Sequence, residues 1–255
     1  MDLGIRGRVA LVTGASSGIG EAIALALAAE GVTLAVAARR RDKLESVVQR
    51  AKAAGASDAR AFEVDLTHAA SVAKLLPGVN AAFGNVDILV LNGGGPKAGI
   101  YTAMSLDDWD AGYQNVLRCM LELTSAALPS MTANGWGRIV ALTSSSVKQP
   151  IPNLTLSNAF RVALVAALKT LSLEVAKHGI TVNSIATGRV DTDRLRALYP
   201  KPGAMETAAK ADVPIGRVAE PDEFAPMVAF LCSEQARYVT GQTIAIDGGL
   251  IKSLY

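Results

Sequence analysis

Short apolar runs alternate with longer stretches of helical periodicity along almost the whole chain. Several of the apolar runs are continuous, which is typical of parallel strands covered on both faces. Strands are predicted at 8–12, 32–38, 59–64, 86–91, 138–143, 181–186 and 243–246, and the clearest helices at 42–54, 112–131 and 158–177. Strands separated by helices predict right-handed βαβ units and a doubly wound parallel α/β sheet of about seven strands.

Length and composition favour one domain over residues 1–255. The chain has 255 residues, half of them hydrophobic, and no linker or repeat interrupts the alternation. The least regular stretch is 190–213, which contains Pro200, Pro202 and Gly203. We predict that this stretch forms a lid or loop over the substrate.

Charge and cysteine usage exclude several classes of function. The net charge is +2 and the longest basic run is Arg39–Arg41, so neither a nucleic-acid nor an anionic membrane surface is expected. Residues 1–8 lack the apolar segment of a signal peptide, and no apolar run could span a bilayer; a cytoplasmic protein is expected. Cys119 and Cys232 lie in apolar segments and are predicted to be buried free thiols. No His or Cys spacing indicates a metal site.

A glycine cluster lies between the first strand and the helix that follows it. Its spacing is G-x-x-x-G-x-G, within the sequence TGASSGIG at 13–20. Glycines let the backbone turn sharply and approach a pyrophosphate, which the helix N-terminus then faces. The predicted cofactor contacts in this loop are Gly14, Ser16, Ser17, Gly18, Ile19 and Gly20.

The end of the second strand indicates which dinucleotide is bound. Enzymes that use NAD usually place an acid there, about twenty residues past the glycines. Here Arg39 and Arg40 occupy that position, and the first carboxylate is Asp42. Guanidinium groups suit a 2′-phosphate, and Ser16 can add a hydroxyl. NADP(H) is therefore predicted, although the arginines could also be the solvated start of a helix.

Further cofactor contacts are expected where later strands end. Asp65 and Leu66 follow the third strand and are placed to contact the adenine, although Asp65 could equally be a helix N-cap. The segment 92–94 follows the fourth strand and would line the cofactor from below, and Thr143 ends the fifth. The residues of this segment are Asn92, Gly93 and Gly94.

With these motifs in hand, the chain resembles the short-chain dehydrogenase/reductase family over nearly its whole length, most of all the 3-oxoacyl-carrier-protein reductase group. The TGASSGIG loop matches the family's T-G-x-x-x-G-I-G, and Asn92-Gly93-Gly94 matches its N-A-G with Ala replaced by Gly. The other matching segments are Asn115, 137–140 with Ser144, 179–183, 214–217 with Pro221, 240–242 and 247–249.

The resemblance implies a single-domain Rossmann fold and roles for several residues. Asn115 and Ser144 would belong to the active site. Gly188, Val190 and Thr192 would contact the nicotinamide carboxamide. The resemblance also implies a small carbonyl or alcohol substrate and a homotetramer.

One motif departs from the family's pattern. Counts from Ser144 and from segment 179–183 place the family's Tyr-x-x-x-Lys at residues 157–161, which read Ser157-Asn-Ala-Phe-Arg161. A serine hydroxyl is a far weaker acid than a phenol. An arginine keeps its positive charge and can bond ribose hydroxyls, but it does not release a proton near neutrality. Thr187-Gly188 also replaces the family's Pro-Gly.

Two functions remain open on these residues. In the first, the chain is an active oxidoreductase with a variant active site. Ser144 then polarises the substrate oxygen, and Asn115 holds a water or a backbone group. Arg161 anchors the nicotinamide ribose, and Ser157 relays a proton from water. Other candidate proton donors are Lys97, Lys148, Tyr101 and Tyr113. In the second, the chain binds NADP(H) without redox catalysis and acts as a sensor or assembly subunit.

The predicted lid carries a hint about the substrate. Arg189, Arg194 and Arg196 stand at its start, with Tyr199 close behind. Such a cluster is compatible with an anionic or carboxylated substrate. The sequence does not identify the molecule.

Overall fold

A computed structural model describes residues 2–254 as one seven-stranded parallel sheet in the order β3-β2-β1-β4-β5-β6-β7. The strands are β1 Val9–Thr13, β2 Thr33–Ala38, β3 Asp58–Glu63, β4 Ile88–Leu91, β5 Gly137–Leu142, β6 Ile180–Thr187 and β7 Thr243–Ile246. The helices are α1 Gly18–Ala29, α2 Arg41–Ala54, α3 Ala69–Phe83, α4 Leu106–Gly112, α5 Cys119–Asn134, α6 Thr155–Val175, α7 Asp193–Leu198, α8 Ala204–Asp212 and α9 Pro221–Leu231. The predicted fold class is confirmed.

Both faces of the sheet are covered, which explains the continuous apolar runs of its central strands. Every residue of β1 and β4 is buried. Successive side chains of a strand point to opposite faces, and accordingly Val12 packs in a core with α1, α2 and α9, whereas Leu11 packs in a second core with α3, α5 and α6. Helices on two faces make the sheet doubly wound.

The strand order reverses between β1 and β4, and this position determines where a ligand can bind. From β1 the chain moves outward to β2 and β3, and then returns to β4 on the other side of β1. The loops after β1 and β4 therefore diverge and leave a crevice at the carboxyl edge of the sheet, where open α/β folds bind their ligands.

The structure differs from two predictions of secondary structure. The single helix expected at 112–131 is divided, because the chain forms a π-helical segment at Tyr113–Arg118 between α4 and α5. The irregular lid expected at 190–213 contains two helices, α7 and α8, and Pro200, Pro202 and Gly203 only separate them.

The predictions for the strands and for the two cysteines hold. The remaining strand boundaries lie within two residues of those predicted, and both cysteines are free and buried. Within residues 2–254, no helix has the length and apolar character needed to cross a bilayer. That part of the chain also holds no cluster of three or more His, Cys, Asp or Glu side chains suited to a metal.

Candidate active site

One cavity of about 1070 Å³ lies at the carboxyl edge of the sheet. The loops that follow β1 to β6 contribute to its wall, and α7 and the C-terminal segment around Lys252 close its outer side. Apart from the four further candidate proton donors, all of the site residues predicted from the sequence except Gly20 lie on this wall. The predicted residues are thus brought together in one place.

The glycine loop forms one end of the cavity. Gly14 and Gly18 have positive φ of 61° and 57°, a conformation that L side chains rarely adopt. A Cβ on Gly14 would also stand 2.8 Å from the Asn92 side-chain nitrogen. Ser17, the N-cap of α1, makes no capping hydrogen bond, so its side chain leaves the first N–H groups of the helix for another acceptor. A close-packed loop leading into an uncapped helix start fits a pyrophosphate.

Side chains from two neighbouring strands hold this loop in place. The Thr13 hydroxyl donates to the Asn92 carbonyl at 2.7 Å and accepts from the Asn92 N–H at 2.9 Å. The side-chain amide of Asn92 in turn donates to the Gly14 carbonyl at 3.3 Å. Thr13 was not among the predicted site residues, although it begins the glycine motif.

Gly20 lies behind the wall rather than on it. A Cβ there would overlap the Gly14 carbonyl and stand 2.6 Å from the Asn92 amide nitrogen. Gly20 therefore permits α1 to pack against the loop, and no direct contact with a ligand is indicated.

Arg40 reaches across to the glycine loop. Its Nη2 donates to the Ser17 hydroxyl at 2.6 Å and to the Ser16 hydroxyl at 3.1 Å, while its Nη1 lies 3.8 Å from the Asp193 carboxylate. Helix α2 begins one residue later, and Arg39 is exposed on the same wall. The Arg40 guanidinium is thus held by two serines of the glycine loop.

Asp65 and Leu66 line the cavity after β3. Asp65 is not a helix N-cap, because that position of α3 belongs to His68. Partial burial raises the pKa of Asp65, but two hydrogen bonds from Thr67 outweigh it and hold the pKa below its usual value. Asp65 is therefore a fixed negative charge at this end of the cavity.

The opposite end is built by β5, the π-helical segment and α6. Ser144 follows β5, and its Oγ accepts a hydrogen bond from the Ser146 N–H at 3.1 Å. The preceding Thr143 donates to the Ile185 carbonyl at 2.6 Å, which ties β5 to β6. Asn115 lies in the π-helical segment, whose wider turn is frequent at functional sites.

Ser157 and Arg161 lie one turn apart on α6 and contact each other. The Arg161 Nε donates to the buried Ser157 Oγ at 3.2 Å, and its Nη1 donates to the Leu142 carbonyl at 3.1 Å. Burial, with the nearby charge of Arg194, lowers the pKa of Arg161 to about 10. Arg161 therefore remains charged at neutral pH.

The segment after β6 forms the remaining wall. Gly188 packs against Asp247, and Val190 pairs with Ala219 in an isolated parallel bridge. The Thr192 hydroxyl caps α7 by accepting from the Leu195 N–H at 3.2 Å, and a Cβ on Gly18 would stand 3.0 Å from the Thr192 methyl. This segment thus contacts the glycine loop directly.

The four other candidate proton donors do not reach the cavity wall. Lys97 is paired with Asp108 at 2.8 Å, and the rings of Tyr101 and Tyr113 pack near Trp109 and Phe160. Lys148 is not on the wall either. Within the described chain, the tyrosine and lysine on the wall are Tyr199 and Lys252, and only Tyr199, in the predicted lid, had a sequence signal.

Comparison with known proteins identifies the family. A family model described as enoyl-(acyl carrier protein) reductase matches residues 14–251. The 3-oxoacyl-(acyl-carrier-protein) reductase FabG of Salmonella typhimurium is 35% identical over 250 residues, which are 97% of this chain and 99% of that protein.

The chain belongs to the short-chain dehydrogenase/reductase family.

Solved structures agree with this assignment. L-sorbose reductase from Gluconobacter frateurii, complexed with NADPH and L-sorbose, has a TM-score of 0.94 and 33% identity, with both chains fully covered. YwfH, an NADPH-dependent reductase involved in bacilysin biosynthesis, has a TM-score of 0.92 and 31% identity over 97% of this chain and all of its own.

Proposed function

We propose that this chain is an NADP(H)-dependent oxidoreductase that acts on a carbonyl or alcohol group with a variant active site. Ser157 and Arg161 take the positions of the family's tyrosine and lysine in this proposal. The observation that carries it is the single cavity, in which a glycine loop with Arg40 lies at one end and Ser144, Ser157 and Arg161 lie at the other.

The end of the cavity with the glycine loop and Arg40, called the phosphate end below, has the features that NADP(H) requires. The loop 14–19 would hold the pyrophosphate, and Arg40, already bonded to Ser16 and Ser17, would bind the 2′-phosphate with Arg39 beside it. One similar structure is a complex with NADPH, and another is that of an NADPH-dependent reductase. When bound, the nicotinamide supplies or accepts hydride at the substrate carbon.

The remaining cofactor contacts are assigned by their place on the wall. Asp65 and Leu66 would contact the adenine, and Thr192 and Arg161 the nicotinamide end. The other residues in this group are Asn92, Gly93, Gly94, Thr143, Gly188 and Val190.

The end of the cavity with Ser144, Ser157 and Arg161 is called the substrate end below. Two hydroxyls there are arranged as hydrogen-bond donors. Ser144 accepts a bond from the Ser146 N–H, and Ser157 accepts one from Arg161. A hydroxyl whose oxygen already accepts from the protein has its own hydrogen available for a substrate oxygen. Donors of this kind stabilise the negative charge that develops on a carbonyl oxygen as hydride arrives.

The positive charge of Arg161 strengthens the same arrangement. Its bond to Ser157 polarises that hydroxyl, and its charge persists through the neutral range. Arg161 would hold the alkoxide's charge electrostatically, while the proton reaches the oxygen from water through Ser157. Asn115 would position such a water, or a backbone group of its own helical segment.

Two further parts of the proposal concern assembly and access. Segment 190–213 would act as the substrate lid, since Thr192, Arg194 and Tyr199 lie on the cavity wall. A homotetramer is supported by apolar side chains that α6 leaves exposed, among them Val162 and Leu173. Sedimentation velocity on the purified protein would test the tetramer.

The deciding experiment is calorimetric titration with NADPH and with NADH, followed by turnover assays of neutral and carboxylate-bearing ketones and of the corresponding alcohols. Tighter NADPH binding with measurable turnover supports the proposal. NADPH binding without turnover of any carbonyl or alcohol would favour the sensor or assembly subunit instead. Binding of neither dinucleotide would overturn the proposal.

A further inference from the structure

The cavity carries an excess of positive charge. Six basic and three acidic side chains lie on its wall. Each acid already has a partner: Asp65 accepts from Thr67, Asp193 lies beside Arg40 and Arg196, and Asp212 pairs with Arg189. Within residues 2–254, no acid on the wall is left to neutralise a cation at the substrate end.

Arg194 is one of the cations that has no acidic partner. Within residues 2–254, neither Arg194 nor Arg161 has a carboxylate within 4.0 Å. The Arg194 guanidinium lies against Gly95, where a Cβ would stand 2.5 Å from its Nε, and its Nη2 donates to the Pro96 carbonyl at 2.9 Å. Its neighbour Arg196, on the same helix, pairs with Asp191 at 2.8 Å and faces solvent.

The position of Arg194 separates it from the phosphate end of the cavity. Thr192 lies against Gly18 of the glycine loop, whereas Arg194, two residues further, has crossed to the chain that follows β4. There its charge is close enough to Arg161 to lower the pKa of that group. Two cations held near each other without an acid are stabilised by an anion between them.

We infer that the substrate is a small carbonyl compound bearing a carboxylate, and that Arg194, with Arg161 on the same cavity wall, determines this specificity. The inference rests on the proposed function. A guanidinium offers paired donors that match a carboxylate in charge and shape. Because the same cavity has to hold a dinucleotide, the space that remains suits a small molecule.

Binding of unreactive probes tests this assignment without turnover. The protein saturated with NADPH would be titrated with oxamate, which carries a carboxylate, and with oxamide, its neutral counterpart. We expect oxamate to bind more tightly, and Arg194→Gln to reduce its affinity about tenfold to a hundredfold. Arg194→Lys should recover part of the loss, since it restores the charge without the paired donors.

Arg196→Gln is the matched control, because Arg196 lies on the same helix but is paired and exposed. It should leave the affinities for oxamate and for NADPH within about twofold of the wild type. Turnover of straight-chain 2-oxo acids, each compared with its methyl ester, should show the same dependence: a preference for the acid that Arg194→Gln removes.

Several results would overturn the inference. If Arg194→Gln weakened the binding of NADPH as much as the binding of oxamate, the arginine would be assigned to the cofactor. Equal binding of oxamate and oxamide, or a preference for a phosphate-bearing ketone or for a 3-oxoacyl group on an acyl carrier protein, would assign a different substrate class. If NADPH binds and neutral esters turn over in every variant, the proposed function stands while this inference fails; loss of NADPH binding by the wild type would remove both.

Discussion

The two ends of the cavity differ in how closely they follow the family. At the phosphate end, hydrogen bonds from Thr13 and Asn92 hold the glycine loop, and Arg40 after β2 bonds to a serine of that loop. All of these residues fit the binding of a dinucleotide. At the substrate end, α6 carries Ser157 and Arg161, which are bonded to each other and which we propose take the positions of the family's tyrosine and lysine.

Under the proposed function, binding a dinucleotide and performing chemistry on a substrate make separate demands on the fold. The phosphate end depends mainly on backbone shape, which tolerates few changes. The substrate end depends on which side chains project from α6 and α7, and these can change while the sheet stays intact. A substitution at the phosphate end should therefore change NADPH binding, and a substitution at the substrate end should change turnover without changing NADPH binding.

The largest effect is expected at the phosphate end, from Gly20→Ala. The new Cβ would meet the Gly14 carbonyl and the Asn92 amide, so the loop has to move. We expect a loss of about 1–3 kcal/mol in the free energy of unfolding and no measurable NADPH binding. Chemical denaturation and calorimetry would measure both.

Gly78→Ala is the control for that change, because Gly78 also lies in a helix but its Cβ would make only ordinary contacts with Phe62. It should leave NADPH binding unchanged and stabilise the protein by up to about 1 kcal/mol. Unimpaired NADPH binding by Gly20→Ala would contradict the rigid-loop account.

At the substrate end, Ser144→Ala should lower kcat about a hundredfold while the Kd for NADPH stays constant. The change removes a hydroxyl that is available to donate to the substrate oxygen. Ser146→Ala is the control: its hydroxyl is buried without a partner, so its removal should not slow turnover. Steady-state kinetics on both variants would decide, and equal rates for Ser144→Ala and the wild type would remove Ser144 from the mechanism.

Specificity for the dinucleotide should depend on Arg40. We expect Arg40→Met to reduce the preference for NADPH over NADH about tenfold, because a charge-assisted contact to the 2′-phosphate is lost. Arg41→Met removes the neighbouring arginine, which pairs with Glu45 on the surface of α2, and should change the preference little. If both variants behave alike, a general positive potential rather than Arg40 selects the dinucleotide.

The smallest effect is expected from pH. A tyrosine activated by a lysine would titrate near or below pH 10. Burial and Arg194 lower the pKa of Arg161 only to about 10, so its charge persists below that value and is lost as the pH rises through it. We expect kcat to vary little across the neutral range and to fall toward pH 10. A profile with a pronounced step near neutrality would indicate a different proton donor.

Much of this molecule could be predicted from its sequence because the signals were local. A continuous apolar run such as Ile88–Leu91 has few alternatives to a buried parallel strand, and glycines at fixed spacing after a strand have few alternatives to a phosphate loop. The positions of Ser157 and Arg161 followed from counting between motifs, and the structure places both on the cavity wall.

The remainder depended on contacts between segments distant in sequence. The π-helical segment at Tyr113–Arg118 keeps an apolar periodicity close to that of an α-helix, so the pattern could not reveal it. Prolines near residue 200 indicated irregularity throughout 190–213, although they only divide two helices. The reach of Arg194 to Pro96 depends on the missing side chain of Gly95, 99 residues earlier in the chain.

The brace formed by Thr13 and Asn92 has a thermodynamic consequence. Three hydrogen bonds join the end of β1, the residue after β4 and the Gly14 carbonyl. The loop therefore loses its conformational entropy when the protein folds, and not a second time when a dinucleotide arrives. Binding of the dinucleotide would then carry no entropy cost for ordering this loop. A chain without redox activity would still keep the preformed loop.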